Sequence, residues 1–223
     1  MRYLVTTVVL CLSIIAHAQT DNEQYEIVMD YSDYQRSLSL QSSSQVLIDN
    51  KKYKEALSLI TEAINLNNGN ADFYLIRALA YSGLKSFKLA MSDVHKAISL
   101  APNQSDMYLL AANVLYKMGQ YNDAVAAYGH AIENNDQSEV KVNLANVYFN
   151  RGSCHLALEK YHDANSDYEV ALELNPSFIG AYHNRGVALK KLEKIDQACE
   201  SFVTAKNMGS HLSDKYIEKY CSK

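Results

Sequence analysis

The chain has 223 residues, a formal net charge of −4 and 48% hydrophobic content, which allows one large domain or a modest repeat array. Its Lys and Arg are scattered, with no basic block and no acidic tail, so it lacks the electrostatic footprint of a nucleic-acid binder. Only two prolines and eight glycines interrupt it, which suits helices better than a β-sandwich.

Residues 1–18 differ from everything after them. Arg2 is their only charge, and the apolar run YLVTTVVLCLSII leads into Ala-His-Ala at Ala16 to Ala18. A short positive region, an apolar region and a small-x-small ending are the marks of a secretory signal peptide. The run is too short to cross a bilayer comfortably. The mature chain is therefore expected to begin at Gln19 and to be exported, either periplasmic or secreted. A retained anchor is the alternative, disfavoured by the Ala-x-Ala ending. A lipoprotein site at Cys11 fits poorly, because Leu10 stands where a small residue is needed. Without this segment, Cys154, Cys199 and Cys221 remain. Three cysteines allow one bridge plus a free thiol, or three buried thiols. The second is favoured, because Cys packs as a small hydrophobe.

Residues 19–36, QTDNEQYEIVMDYSDYQR, are acidic and unpatterned, so they are expected to form a lead-in helix or a flexible arm. From 37 onward a pattern repeats. Ala56, Ala90, Ala124, Ala164 and Ala198 are spaced 34, 34, 40 and 34 residues apart. Seven residues after each comes a second alanine: Ala63, Ala97, Ala131, Ala171 and Ala205. Between the two stands a large side chain: Ile60, Val94, Tyr128, Tyr168 or Phe202. Offsets of three, four and seven residues share one helix face. Small residues there let a second helix approach closely, and the large residue fills the space beyond the contact.

The partner helix carries the other half of the pattern. Tyr74, Tyr108, Tyr148 and Tyr182 are each followed four residues later by Ala78, Ala112, Gly152 or Gly186. The pattern predicts helical pairs over 37–70, 71–104, 105–144, 145–178 and 179–212, with Pro102 and Pro176 stopping second helices. The third block holds six extra residues within ENNDQSEVKVNL. They are expected either to lengthen the next helix, with Ser138 as a cap, or to form a longer loop. The tail 213–223 is expected to be a capping helix that covers the last pair with Tyr216, Ile217 and Tyr220.

Cys154, His155 and His162 suggest a metal site or an activated thiol. However, Asn150-Arg151-Gly152 recurs as Asn184-Arg185-Gly186, so the stretch is part of the repeat. His155 stands where Tyr81 and Leu115 stand, on a buried face, and Cys154 points about 100° away from it. A packed thiol and an in-facing histidine are expected, with the metal- or thiol-dependent protein as the rival reading. The acids near Asp93 and between Asp163 and Asp167 are expected on exposed helix faces. No phosphate loop, nucleophile elbow or HExxH motif occurs. Nothing points to an enzyme, a cofactor or a resident metal.

These blocks resemble tetratricopeptide repeats, whose period is 34 residues. The match covers 37–212. It is weakest in the first block, where Leu40, Ser44 and Leu47 replace the usual residues. The resemblance implies an all-α, right-handed superhelix of about five helix-turn-helix repeats, with first helices lining a concave groove that holds a peptide or partner-protein segment. On that basis the groove would present Leu75 and Leu79, then Leu109, Asn113 and Tyr116, then Phe149, Asn150 and Ser153, then His183, Asn184 and Val187. Asn amides can bond both backbone groups of an extended peptide. The Leu residues could instead pack between first helices. A carboxylate clamp of the kind some family members carry is disfavoured, because Leu109, Gly180 and Asn184 occupy its basic positions. The expected protein is an exported interaction scaffold or adaptor with a protein partner. No nucleic acid or integral span is expected after signal cleavage, and a setting in a cell-envelope or secretion assembly is compatible.

Overall fold

All ten repeating alanines are 0–1% exposed, and this closeness dictates the architecture. A computed structural model describes residues 31–221; the expected signal peptide lies outside the described residues. Among the described residues there are eleven α-helices, one short 3-10 turn and no strand. The helices are α1 (Tyr31–Asp49), α2 (Tyr53–Leu66), α3 (Ala71–Gly83), α4 (Phe87–Leu100), α5 (Ser105–Lys117), α6 (Tyr121–Glu133), α7 (Leu144–Ala157), α8 (Tyr161–Leu174), α9 (Ile179–Lys191), α10 (Ile195–Asn207) and α11 (Asp214–Tyr220). The fold is all-α. Helix α1 begins at Tyr31, so it runs across the 36/37 boundary drawn from the repeat pattern.

Odd and even helices pair from α1 with α2 through α9 with α10. The small residues of the odd helices explain how tightly they do so. A Cβ on Gly152 would come within 2.9 Å of the Tyr168 ring, and one on Gly186 within 2.6 Å of the Phe202 ring. Where the second helix carries the slimmer Val94, the facing Ala78 fits and is fully buried. The weak first block follows the same rule, with Ser44 at the buried small position, its hydroxyl donating to Leu40 O. Each pair turns through a left-handed residue: Lys51, Lys85, Glu159 and Glu193 at φ 59–62°, and Gly119 at φ 75°. Only glycine adopts that conformation without a Cβ penalty.

Pairs then stack in order, α2 on α3, α4 on α5, α6 on α7 and α8 on α9. Odd helices also touch one another, α1 with α3, α3 with α5 and α7 with α9, whereas the even helices make no comparable contact. The side on which elements crowd together is the inner side of a bend, so the odd helices line it.

The six extra residues form a loop, not a helix extension: 134–143 is non-helical and α7 starts at Leu144. Asn143 caps α7, its side chain accepting from Asn146 N. Ser138 is instead buried against the start of α5.

Helix α11 lies on α10. Tyr216 stacks on Phe202 with ring centroids 4.8 Å apart, and Ile217 and Cys221 join the same cluster. Cys199 and Cys221 form a disulfide, while Cys154 is a buried free thiol. The favoured expectation of three buried thiols is therefore corrected. Cys221 sits just past α11, where docking of the cap brings it to Cys199 of α10.

Candidate partner-binding groove

The eleven groove residues come from α3, α5, α7 and α9. All are half-buried except Tyr116, which is 41% exposed. Leu75, Leu79 and Leu109 pack against the central core cluster, so each gives part of its surface to the scaffold. Phe149 lies 4.6 Å from Phe178 and 5.8 Å from Tyr168, ring to ring. Tyr116 meets Tyr121 edge-on at 5.5 Å.

The polar members are gathered by two tyrosines from the second helices. Tyr128 of α6 is 1% exposed, and its hydroxyl donates to Asn113 Oδ1 at 2.7 Å. The side chain of Asn150 on the next pair also acts on this phenol, opposing the rise in its pKa. Tyr168 of α8 repeats the arrangement one pair later: its hydroxyl donates to Ser153 Oγ of its own pair at 3.3 Å, and Asn184 of the next pair acts on it, opposing the rise in its pKa. Burial raises the pKa of both phenols, Tyr168 to about 12. Both stay protonated at neutral pH and can serve as donors. Asn113 thus commits an acceptor to the scaffold and keeps amide hydrogens able to donate.

The earlier pairs need no such group. Ile60 shares a core cluster with Ile76, and Val94 shares one with Leu110, at the corresponding positions. A hydroxyl-bearing peg therefore occurs where the following helix offers Asn, and an aliphatic peg where it offers Leu or Ile. The sequence carried the signal, Tyr128 and Tyr168 in the alanine-flanked slot with Asn150 and Asn184 in the next block, but no single block displays both partners.

The last two positions go to the cap. His183 Nδ1 lies 3.0 Å from Ser213 Oγ, and its ring meets Tyr216 edge-on at 5.5 Å. Val187 packs into the same end cluster.

Two charged pairs were also missed. Arg77 and Asp93 form a two-point bond at 2.8 Å and 2.8 Å. Arg151 and Asp167 repeat it at 3.0 Å and 2.6 Å. Asp93 and Asp167 are only 6% and 5% exposed, which corrects their expected placement on solvated faces. The fixed interval from Arg77 to Asp93 and from Arg151 to Asp167 was the available signal. In the last pair Ser201 replaces the acid, and Arg185 reaches across to Glu169 at 3.2 Å.

Cys154, His155 and His162 diverge. Cys154 is fully buried in the central core, and burial lifts its thiol to about 12, far from a thiolate at neutral pH. His155 is an in-facing residue with Nε2 3.7 Å from Asp167. Burial lowers its pKa despite Asp167 and Asp163 nearby, so it is neutral at pH 7. His162 is exposed on α8. No group of three or more His, Cys, Asp or Glu able to hold a metal occurs among the described residues. No helix among them is long and apolar enough to cross a membrane.

Comparison with known proteins agrees with this geometry. Tetratricopeptide repeat family models match residues 103–177 and 179–208, and the model for anaphase-promoting complex, cyclosome, subunit 3 matches 49–131. The protein unc-45 homolog B of Mus musculus is 35% identical over 83 residues, 37% of this chain but 9% of that protein's length. The solved structure of YrrB superposes with a TM-score of 0.69 at 19% identity, covering 87% of this chain and 96% of YrrB. PilW superposes with a TM-score of 0.67 at 17% identity, covering 77% of each chain. Residues 103–177 and 179–208 are thus recognised as tetratricopeptide repeats within an all-α chain.

Proposed function

We propose that the chain is an exported, non-enzymatic interaction scaffold that holds a segment of a partner protein along the odd-numbered helices. The observation that carries this is the pair of polar clusters on that face, Asn113 and Ser153 each anchored by a buried tyrosine, with Asn150 and Asn184 acting on the same phenols from the next pair. Anchoring fixes the amide orientation before binding, which lowers the entropic cost of gripping an extended backbone. Leu75, Leu79 and Tyr116 supply apolar surface beside these donors. YrrB is described as having an unusual peptide-binding site, and PilW as a type IV pilus biogenesis factor. The first supports binding as the activity, and the second supports an envelope assembly as the setting. The signal-like residues 1–18 support export. The rival reading, chemistry at Cys154, His155 and His162, has a buried, protonated thiol and diverging imidazoles against it.

Photo-crosslinking in the producing cell tests the groove. A benzophenone amino acid at Tyr116 or Leu79 is expected to trap a protein partner, and one at Val203, exposed on α10, is not. Adducts from Val203 alone would reject the groove. Export is tested separately by N-terminal sequencing of the secreted or periplasmic fraction, where a start at Gln19 is expected. A cytoplasmic chain that keeps Met1 would reject it.

A further inference from the structure

Positive charge collects at the cap, where three lysines line one cleft. Helix α11 divides its charges between two sides. Asp214 pairs with Lys206 of α10 at 2.9 Å, and Glu218 also acts on that lysine. Lys215 and Lys219, one helical turn apart, face the other way. With Lys190 of α9, Tyr216 and Tyr220 they line a cleft of about 230 Å³. The ammonium groups of Lys190 and Lys219 lie 4.8 Å and 5.3 Å from the Tyr220 ring centroid and lower the pKa of its hydroxyl. None of the three lysines forms an ion pair among the described residues.

Helix ends account for only part of this arrangement. Lys190 in the last turn of α9 and Lys219 in the last turn of α11 complement their helix dipoles. Lys215, however, stands in the first turn of α11, where a cation is disfavoured. Three ammonium groups around one cleft repel one another, and an anion placed between them relieves that repulsion. The cleft at Lys51, Lys52 and Lys54 makes the contrast, because it contains Glu55, which pairs with Lys52 at 3.6 Å. The rings of Tyr216 and Tyr220, 6.4 Å apart, add apolar surface that an inorganic anion would leave uncovered.

We infer that the cleft formed by Lys190, Lys215, Lys219, Tyr216 and Tyr220 binds the carboxylates of an acidic peptide segment from a partner protein, at a second site that adjoins the end of the groove, where Tyr216 meets His183. Lys190 and Lys219 hold one carboxylate beside the Tyr220 hydroxyl, and Lys215 takes the next. Apolar side chains between the acids lie on the tyrosine rings.

Fluorescence anisotropy with a fluorescein-labelled Glu-Glu-Leu-Glu-Glu-Leu peptide tests this on the full chain. Binding is expected at low salt, with none for the peptide in which Gln replaces Glu. K215Q/K219Q should weaken binding at least about tenfold, and K215R/K219R should retain it. K51Q/K54Q removes the same charge at the other cleft and should change affinity less than about twofold. Circular dichroism confirms helicity in each variant. Tyr116→Ala in the groove should leave the anisotropy unchanged, so failure here and failure of the groove are distinguishable. Equal weakening by the two lysine pairs overturns the site. Displacement by inorganic phosphate at matched ionic strength, or preferential binding to phosphatidylserine vesicles, overturns the peptide as its occupant.

Discussion

The Ser138 hydroxyl accepts the backbone N–H of Ser105 at 3.1 Å, across 33 residues. Ser105 is the first residue of α5, whose preceding residue, Gln104, supplies no side-chain cap. Gln104 instead turns its carbonyl to Ser138 Oγ at 2.8 Å and Glu139 N at 3.2 Å. The inserted loop thus satisfies an orphan donor at a helix end that precedes it in the chain. Ser138→Ala leaves that donor buried without a partner and should cost about 1–3 kcal/mol in urea unfolding. No loss beyond a few tenths of a kcal/mol would show that water replaces the hydroxyl.

Tyr128→Phe should cost about 1 kcal/mol, since the hydroxyl donates to Asn113. Adding Asn150→Leu reproduces the apolar match seen between Val94 and Leu110. The double variant should lose less than the sum of the two single losses, a coupling measured by a double-mutant cycle. Strict additivity would mean that the seam has no such match.

His155 and His183 both have pKa values lowered by burial from 6.5. Around His155, Asp167 and Asp163 pull the other way, while Arg151 and Lys160 reinforce the shift. The unfolded chain therefore takes up protons before the folded one does. This contribution is fully present above the unfolded pKa and fades as pH falls below about 6.5 through the folded values. Urea midpoints should drop from pH 7.5 to pH 5, and His155→Gln with His183→Gln should flatten that part of the profile. An unchanged slope in the double variant would place the effect elsewhere.

The Cys199–Cys221 bridge closes a separation of 22 residues. Loop entropy for that length gives about 3 kcal/mol of stabilisation. Cys199→Ser with Cys221→Ser, or reduction of the native chain, should lower the unfolding free energy by that order. Hydrogen exchange should rise first in 214–220. Unaltered exchange there would mean that the Tyr216–Phe202 stack alone holds the cap.

The alanine recurrence made the helical pairs legible, because a small residue at a fixed interval has only one common physical use, close packing of helices. Burial of Cys154 and the inward aim of His155 followed from that register. The rest depended on contacts between blocks. Whether ENNDQSEVKVNL extends a helix or loops back is decided by a partner at Ser105, far away in sequence. Asp93 and Asp167 read as surface charges until their arginines, on another helix, come into view. With three cysteines, only the docking of α11 selects which two meet. Asn113 reads in sequence as a partner contact, yet it also accepts from the Tyr128 peg, since a single side chain can hold the scaffold and present a donor.

The peg-and-seam matching also makes the modules non-interchangeable. Excising 145–178 would bring Tyr128 against Asn184, which preserves a hydroxyl-to-amide junction. Excising 105–144 would set the aliphatic Val94 against Asn150 and strand a polar group. Linear order is therefore encoded at each junction, and shortened or shuffled arrays will be viable only where the two halves of a junction agree.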